Sequence, residues 1–427
     1  MTEISRYHNF DLLVSAVDGR SYALRVLTTP EAGDSAAPAV VPAGPLTALG
    51  DRLAAFRTQA IGREELRALG VGLFDWLFPP PVRALYRASL GKLGPQDGLR
   101  LRLRIEPPEL HLLPWECGYD AEAGVFPALD PRTVPVRYLP GPFTRHKLRS
   151  HQLSVLVMAA SPAGFEPLDV AGEYRRIEDA LDLAGGRIQI GQSAGNVDAL
   201  QVALRGGPNI LHFVGHGGYA EQGGGFLWLE DAGRPTPIDG EALAALLRGS
   251  SVRLVVLNAC ESARSDPADS FAGVAPRLVQ AGLPAVVAMQ AALLDQAALQ
   301  FSTAFYGALA DQPMVDAAVT AARQALFAHA PEEPGWAAPV LFLAAADGVL
   351  WEPSPVVVST EAPPPHPAAG PTFHFNFPGS VTIYAGQMGG ERRTTTIHHD
   401  DEAADATAEQ TQRKRASLLC PPLFRML

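Results

Sequence analysis

Leu254-Val255-Val256-Leu257-Asn258-Ala259-Cys260-Glu261-Ser262 is a short apolar run that ends in a cysteine followed by polar residues. A bounded run of this length, rich in branched side chains, predicts a buried strand, here one that delivers a thiol to a sheet edge. Upstream, Asn209-Ile210-Leu211-His212-Phe213-Val214-Gly215-His216-Gly217-Gly218 repeats the arrangement with His-Gly-Gly at its end. Two such strands, parallel and ending side by side, bring His216 to Cys260. Sites in parallel α/β sheets form beyond the carboxyl ends of the strands. The pair therefore predicts nucleophilic catalysis, with Cys260 as thiolate nucleophile and His216 as acid and base.

Each half alone has an ordinary explanation, since a histidine or a cysteine at a strand end is commonly packing. Their joint occurrence on successive buried strands carries the catalytic reading. Glycine at 217 lets a substrate carbonyl approach the backbone, so the N–H groups of Gly217 and Cys260 are the expected oxyanion donors. His212 alternates with Phe213 and is expected to be buried against the helix layer.

A chain of 427 residues exceeds what one core usually serves, about 250–300 residues, so two ordered units and a tail are expected. The net charge of −11 argues against a broad nucleic-acid-binding surface. Cys117, Cys260 and Cys420 are too few and scattered for a disulfide framework or a four-cysteine zinc site. Cys117, between Trp115 and Tyr119 with no base nearby, reads as structural. His398-His399-Asp400 lies in the polar tail and makes a poor metal site, so no metal and no cofactor is expected. The N-terminus has no signal core, and the apolar stretch Leu283 to Leu294 is shorter than the ~20 residues that span a bilayer. A soluble cytoplasmic protein that does not engage membranes follows.

In chain order, residues 10–17 and 22–27 flank a turn-type Asp18-Gly19-Arg20-Ser21 and predict a hairpin. Helical spacing follows over 46–69 and 80–90. Leu99 to Ile105 alternates leucine or isoleucine with arginine, which predicts a half-buried strand with a solvated arginine face. The polar, proline-containing stretch from Gly141 to His151 marks the boundary between an N-terminal α+β domain at 1–148 and a second domain at 149–352. In the second, strands and helices alternate, and the strands are apolar throughout. That is the mark of a mostly parallel sheet covered by helices on both faces.

The stretches "ILHFVGHGG", "LVVLNACESA" and "FAGVAPRLVQAGLPAVVAMQ" resemble the CHAT domain, a caspase-like group of the cysteine-peptidase clan that includes caspases, separase and gingipains. The likeness extends through "FYGALADQPMVDAAVTAARQAL" and back to "LLPWECGYD" and "VPVRYLP", which resemble the inactive caspase-like half found before many such domains. It implies a caspase-like α/β fold preceded by a smaller pseudo-caspase-like domain, with His216 and Cys260 as the dyad. It also implies a bacterial endopeptidase that cuts a protein partner in stress signalling or antiphage defence. Relatives that cut after basic residues commonly carry an acid two positions before the cysteine, where this chain has Asn258. Glu166, Asp169, Asp266 and Asp269 on adjacent loops are the other substrate-pocket candidates. The alternative is a catalytically silent caspase-like scaffold. A cysteine acyltransferase or lipase-like hydrolase is the third and disfavoured reading.

Residues 353–427 begin as a Pro/Ala/Ser-rich linker, and Phe373 to Tyr384 alternates strongly within a docking segment at 372–385. Three readings of the tail stand: a docking strand, a self-cleavage site at Arg413-Lys414-Arg415, or idle sequence. The expected partners are a protein substrate and an activating or sensor protein bound through the tail.

Overall fold

The hairpin expected at the N-terminus is β1 (Arg6–Asp18) and β2 (Ser21–Thr28), antiparallel through a turn in which Asp18 Oδ1 accepts from Arg20 N–H and the Ser21 hydroxyl. The computed structural model describes residues 4–30, 37–141, 147–150, 153–165, 167–183, 188–220, 224–259, 273–291, 293 and 295–353. They belong to one unit of the chain, Met1–Val356. The tail at 354–427, with its docking segment, basic run and His-His-Asp, lies outside the described residues.

After β3 (Ala39–Pro42) come α1 (Gly44–Thr47), α2 (Gly50–Arg57), α3 (Arg63–Leu77) and α4 (Pro80–Gly91). Then β4 (Asp97–Ile105) and β5 (Thr133–Tyr138) add in parallel to β1. The second half runs β6 (Leu148–Ser150), β7 (Leu153–Ala159), α5 (Val170–Leu183), β8 (Ile188–Ala194), α6 (Val197–Leu204), β9 (Ile210–Ala220), β10 (Gly224–Asp231) and β11 (Arg234–Asp239). It continues through α7 (Gly240–Leu247), β12 (Leu254–Ala259), α8 (Ala275–Gln280), β13 (Ala285–Met289), α9 (Asp295–Asp311), α10 (Val315–His329), β14 (Pro339–Leu343) and β15 (Trp351–Pro353).

Local chemistry accounts for several boundaries. Asn196 and Asp239 accept from the third residue on, at Ala199 and Ala242, and so start α6 and α7. Prolines open α4 and α8, where no backbone donor is needed.

One sheet of 13 strands carries both halves, in the order β11-β10-β9-β12-β13-β14-β5-β4-β1-β2-β3, with β7 on β9 and β8 on β7. β8, β7, β9, β12 and β13 are mutually parallel and β14 runs antiparallel to β13. Both faces are covered. Ile210, Val214, Leu254, Val256 and Val287 pack toward α5, α9 and α10, while Leu211, Phe213, Val255, Leu257 and Val286 pack toward α6, α7 and α8. Sequence on either side of the expected 148/149 boundary meets inside this sheet, where Phe342 and Leu343 pair with Arg137 and Tyr138.

The arginine face of β4 departs from expectation. Arg100 and Arg102 are buried, not solvated. Arg100 Nε donates to Asp316 Oδ2 at 2.6 Å and Arg102 forms a two-bond pair with Asp11. Asp316, at the start of α10, covers this side of the strand. The alternation thus marks two buried faces, one apolar and one neutralised by carboxylates, because a charge enters a core only when paired. Arg104, at the strand's end, stays partly exposed beside Glu106.

Candidate functional site

β9 lies between β7 and β12, with Ala159 opposite Val214 and Ala259 opposite Gly215. There the parallel pairing ends, but β9 does not. It runs on through His216 to Ala220 and pairs antiparallel with β10, His216 opposite Trp228 and Gly217 opposite Leu227. The expectation that His-Gly-Gly ends the strand is corrected on this point: the histidine marks a change of partner inside a longer strand. The glycines follow from close packing. A Cβ at Gly215 would stand 2.5 Å from the Phe213 ring, and one at Gly218 2.4 Å from the Phe226 ring.

His216 is half-buried. Phe165 stacks against its ring, centroids 5.0 Å apart and planes 28° apart, and also contacts Trp228 at 5.2 Å. Phe165 sits in a strap, of which residues 161–165 and 167–169 are described, that leaves the end of β7 and crosses the β10–β11 hairpin. Ser161 N–H donates to Glu230 Oε2 at 3.3 Å, Ala163 N–H to the Gly233 carbonyl at 2.9 Å and Leu168 N–H to Ser161 Oγ at 3.0 Å. Beside the strap an open cleft of about 480 Å³ is lined by Ala159, Ser161, Val170, Gln192, Ser193, Ala194 and Glu230.

Cys260, Glu166, Asp266 and Asp269 lie outside the described residues. Asn258 is buried one position before the end of the β12–β9 pairing, opposite Val214, and its Oδ1 has no hydrogen-bond partner among the described residues. Asp169 accepts from Gly172 N–H at 2.9 Å in the first turn of α5. Gly217 is buried in the β9–β10 ladder.

The two histidines of β9 have different surroundings. His212 is fully buried, its Nδ1 bonded to the Tyr306 hydroxyl of α9 at 2.7 Å, and burial pushes its pKa down to about 3. An imidazole held neutral and closed off from the cleft cannot exchange protons with a substrate. Cys117 is likewise fully buried, and burial pushes its thiol well above the usual range. Neither competes with the residues at the end of β9.

Phe165, Trp228 and Glu230 were not singled out from sequence. The strap residues Pro162-Ala163-Gly164-Phe165 read as plain loop, and nothing in linear spacing ties Phe165 to His216. Among the described residues, no group of three or more His, Cys, Asp or Glu side chains is placed to hold a metal ion, and no helix is long and apolar enough to cross a membrane.

The parallel order β8-β7-β9-β12-β13 with an antiparallel β14, covered by helices on both faces, defines an α/β fold built on a mixed, mostly parallel sheet. A family model described as the CHAT domain matches residues 67–347, more than half of the chain, and the chain belongs to that family. Among solved structures it is similar to the Saccharomyces cerevisiae separase of a separase–securin complex, at 14% identity and a TM-score of 0.35, over 61% of this chain and 17% of that one. It is also similar to the Drosophila initiator caspase Dronc, at 12% identity and a TM-score of 0.28, over 50% of this chain and 94% of that one. The chain thus spans less than a fifth of the separase chain, at 17%. No curated protein matched the sequence.

Proposed function

We propose that the chain is a cysteine endopeptidase in which Cys260 is the nucleophile and His216 the acid and base. The observation that carries this reading is the register of two neighbouring parallel strands. Ala259, the residue before Cys260, lies directly opposite Gly215, the residue before His216. Membership of the CHAT family supports it.

In the proposed reaction the Cys260 thiolate attacks the scissile carbonyl carbon, forming a C–S bond and a tetrahedral oxyanion that accepts from the N–H groups of Gly217 and Cys260. The C–N bond breaks as the His216 imidazolium gives its proton to the leaving amine. Water, deprotonated by His216, then attacks the thioester, releasing the acid and returning the thiol. The neutral amide of Asn258, with Asp169 and the loop acids Glu166, Asp266 and Asp269, is our candidate set for reading the substrate side chain. A carboxylate at 258 would attract a basic side chain, and an amide supplies no such charge.

The substrate we infer is a protein partner, cut after an activating protein engages the tail, in the cytoplasm of a bacterium under stress or phage attack. The test incubates purified wild type, Cys260→Ala and His216→Ala with a mixture of unrelated peptides and reads cleavage by mass spectrometry. We expect new termini with wild type only. Cleavage that survives Cys260→Ala overturns the assignment. Silence from wild type together with candidate activators favours a scaffold instead.

A further inference from the structure

We propose that Phe165 is a positioning residue for His216, holding the imidazole by its face and favouring its protonated form; this rests on the dyad reading above. The strap is not a loose loop here. The N–H groups of Ser161 and Ala163 tie it to the Glu230 carboxylate and the Gly233 carbonyl, and Leu168 N–H closes it on the Ser161 hydroxyl. They deliver one aromatic side chain, Phe165, against two rings that face each other across the β9–β10 ladder, His216 at 5.0 Å and Trp228 at 5.2 Å. Trp228 is braced in turn by Phe226, edge to face at 5.0 Å. A stacked ring blocks rotation of the imidazole toward the strap.

The benzene face also carries negative potential, which favours a cation lying over it. An imidazolium is therefore stabilised against the neutral ring. A thiolate–imidazolium pair is the reactive state of a cysteine dyad, so the ring extends that state to lower pH. Other ionisable groups on the elements packed around His216 are Glu230 and Asp231 on β10 and Asp169 at the end of the strap. Glu166 and Cys260 lie outside the described residues. All the variants below keep these groups, so a shift among them at Phe165 reports the ring.

The experiment measures the rate of Cys260 alkylation by iodoacetamide against pH in the full chain. Peptide mapping separates Cys260 from Cys117 and Cys420. Wild type, Phe165→Tyr, Phe165→Leu, His216→Ala and the double variant Phe165→Leu/His216→Ala are compared. We expect the wild-type midpoint to lie below that of an ordinary thiol and Phe165→Tyr, which keeps the ring, to match it. Phe165→Leu, which keeps only apolar volume, should move the midpoint up by roughly half a pH unit, as a two- to fivefold loss of ion-pair preference requires. His216→Ala should restore ordinary thiol behaviour, and Phe165→Leu should add nothing on that background. If Phe165→Leu titrates as wild type while His216→Ala shifts, the proposal falls and the dyad stands. If Phe165→Tyr shifts as far as Phe165→Leu, the role is packing and the proposal also falls. If wild type and His216→Ala titrate alike, both readings fall together.

Discussion

The two histidines of β9 show how four residues along one strand change what a side chain can do. His216 sits where β9 leaves its parallel partner, beside solvent and against Phe165. His212 is sealed beneath α9, bonded to Tyr306, with its pKa pushed down to about 3 by burial. The sign of the consequence follows from linkage. The folded state refuses a proton that the unfolded chain accepts below about pH 6.5, so stability falls as pH drops from there toward 3. Between pH 7 and pH 5 the loss from this one group is about 2 kcal/mol. Urea unfolding of wild type and His212→Gln at both pH values should show that increment in wild type only. An equal loss in both would mean that His212 titrates normally. Alternation with Phe213 was enough to expect burial of His212, whereas the aromatic contacts of His216 come from residue 165 and could not be read from its neighbours in sequence.

At the scale of elements, β4 is where the pattern of residues was informative but open to two meanings. Leu-Arg alternation defines a strand and its two faces. It does not say whether the arginine face meets water or carboxylates, and here Asp316 and Asp11 come from α10 and β1. Breaking such a buried pair leaves an uncompensated charge. Asp316→Ala should therefore lower unfolding free energy by about 3–5 kcal/mol, while Arg100→Met with Asp316→Leu together should recover most of it. Denaturant melts of the single and double variants check this, and a single-variant cost under about 1 kcal/mol would show the pair to be solvated. β11, at an end of the sheet order, carries Pro235 and Pro237, which remove ladder donors from an edge strand. Replacing both with Thr should promote self-association, seen as a shift to larger species in light scattering. An unchanged monomer-to-oligomer ratio would mean the prolines do not guard the edge.

For the whole molecule, the telling contact is between β14 and β5, which continues the sheet from one half of the chain into the other. Around it, Arg137 holds Glu116 in a two-bond pair at 2.9 and 2.7 Å, and Gln290, from the end of β13, donates to the same carboxylate at 3.1 Å. The polar residue interrupting the apolar run at 283–294 is thus a clasp between halves. Expressing residues 149–352 alone would expose the β14 edge and leave Gln290 without Glu116. We expect that fragment to aggregate, and co-expression with residues 1–148 to restore a soluble complex. A monodisperse, cooperatively melting 149–352 fragment would refute this.

What the amino-acid sequence determined by itself is the set of short-range features. Apolar runs without alternation specify buried parallel strands, capping Asn196 and Asp239 start helices, and two apolar runs of the same type, β9 and β12, pair so that Gly215 lies opposite Ala259. These depend on side chains a few positions apart, so they are written locally. Only the tertiary structure decided that β9 passes through His216 into a second ladder and that Phe165 stacks on that histidine. It alone decided, too, that the arginines of β4 are neutralised from α10 and β1, and that both halves share one sheet. Apart from the β9–β10 hairpin, each of these joins residues far apart in the chain, and a residue's own neighbours in sequence do not say which distant group will reach it.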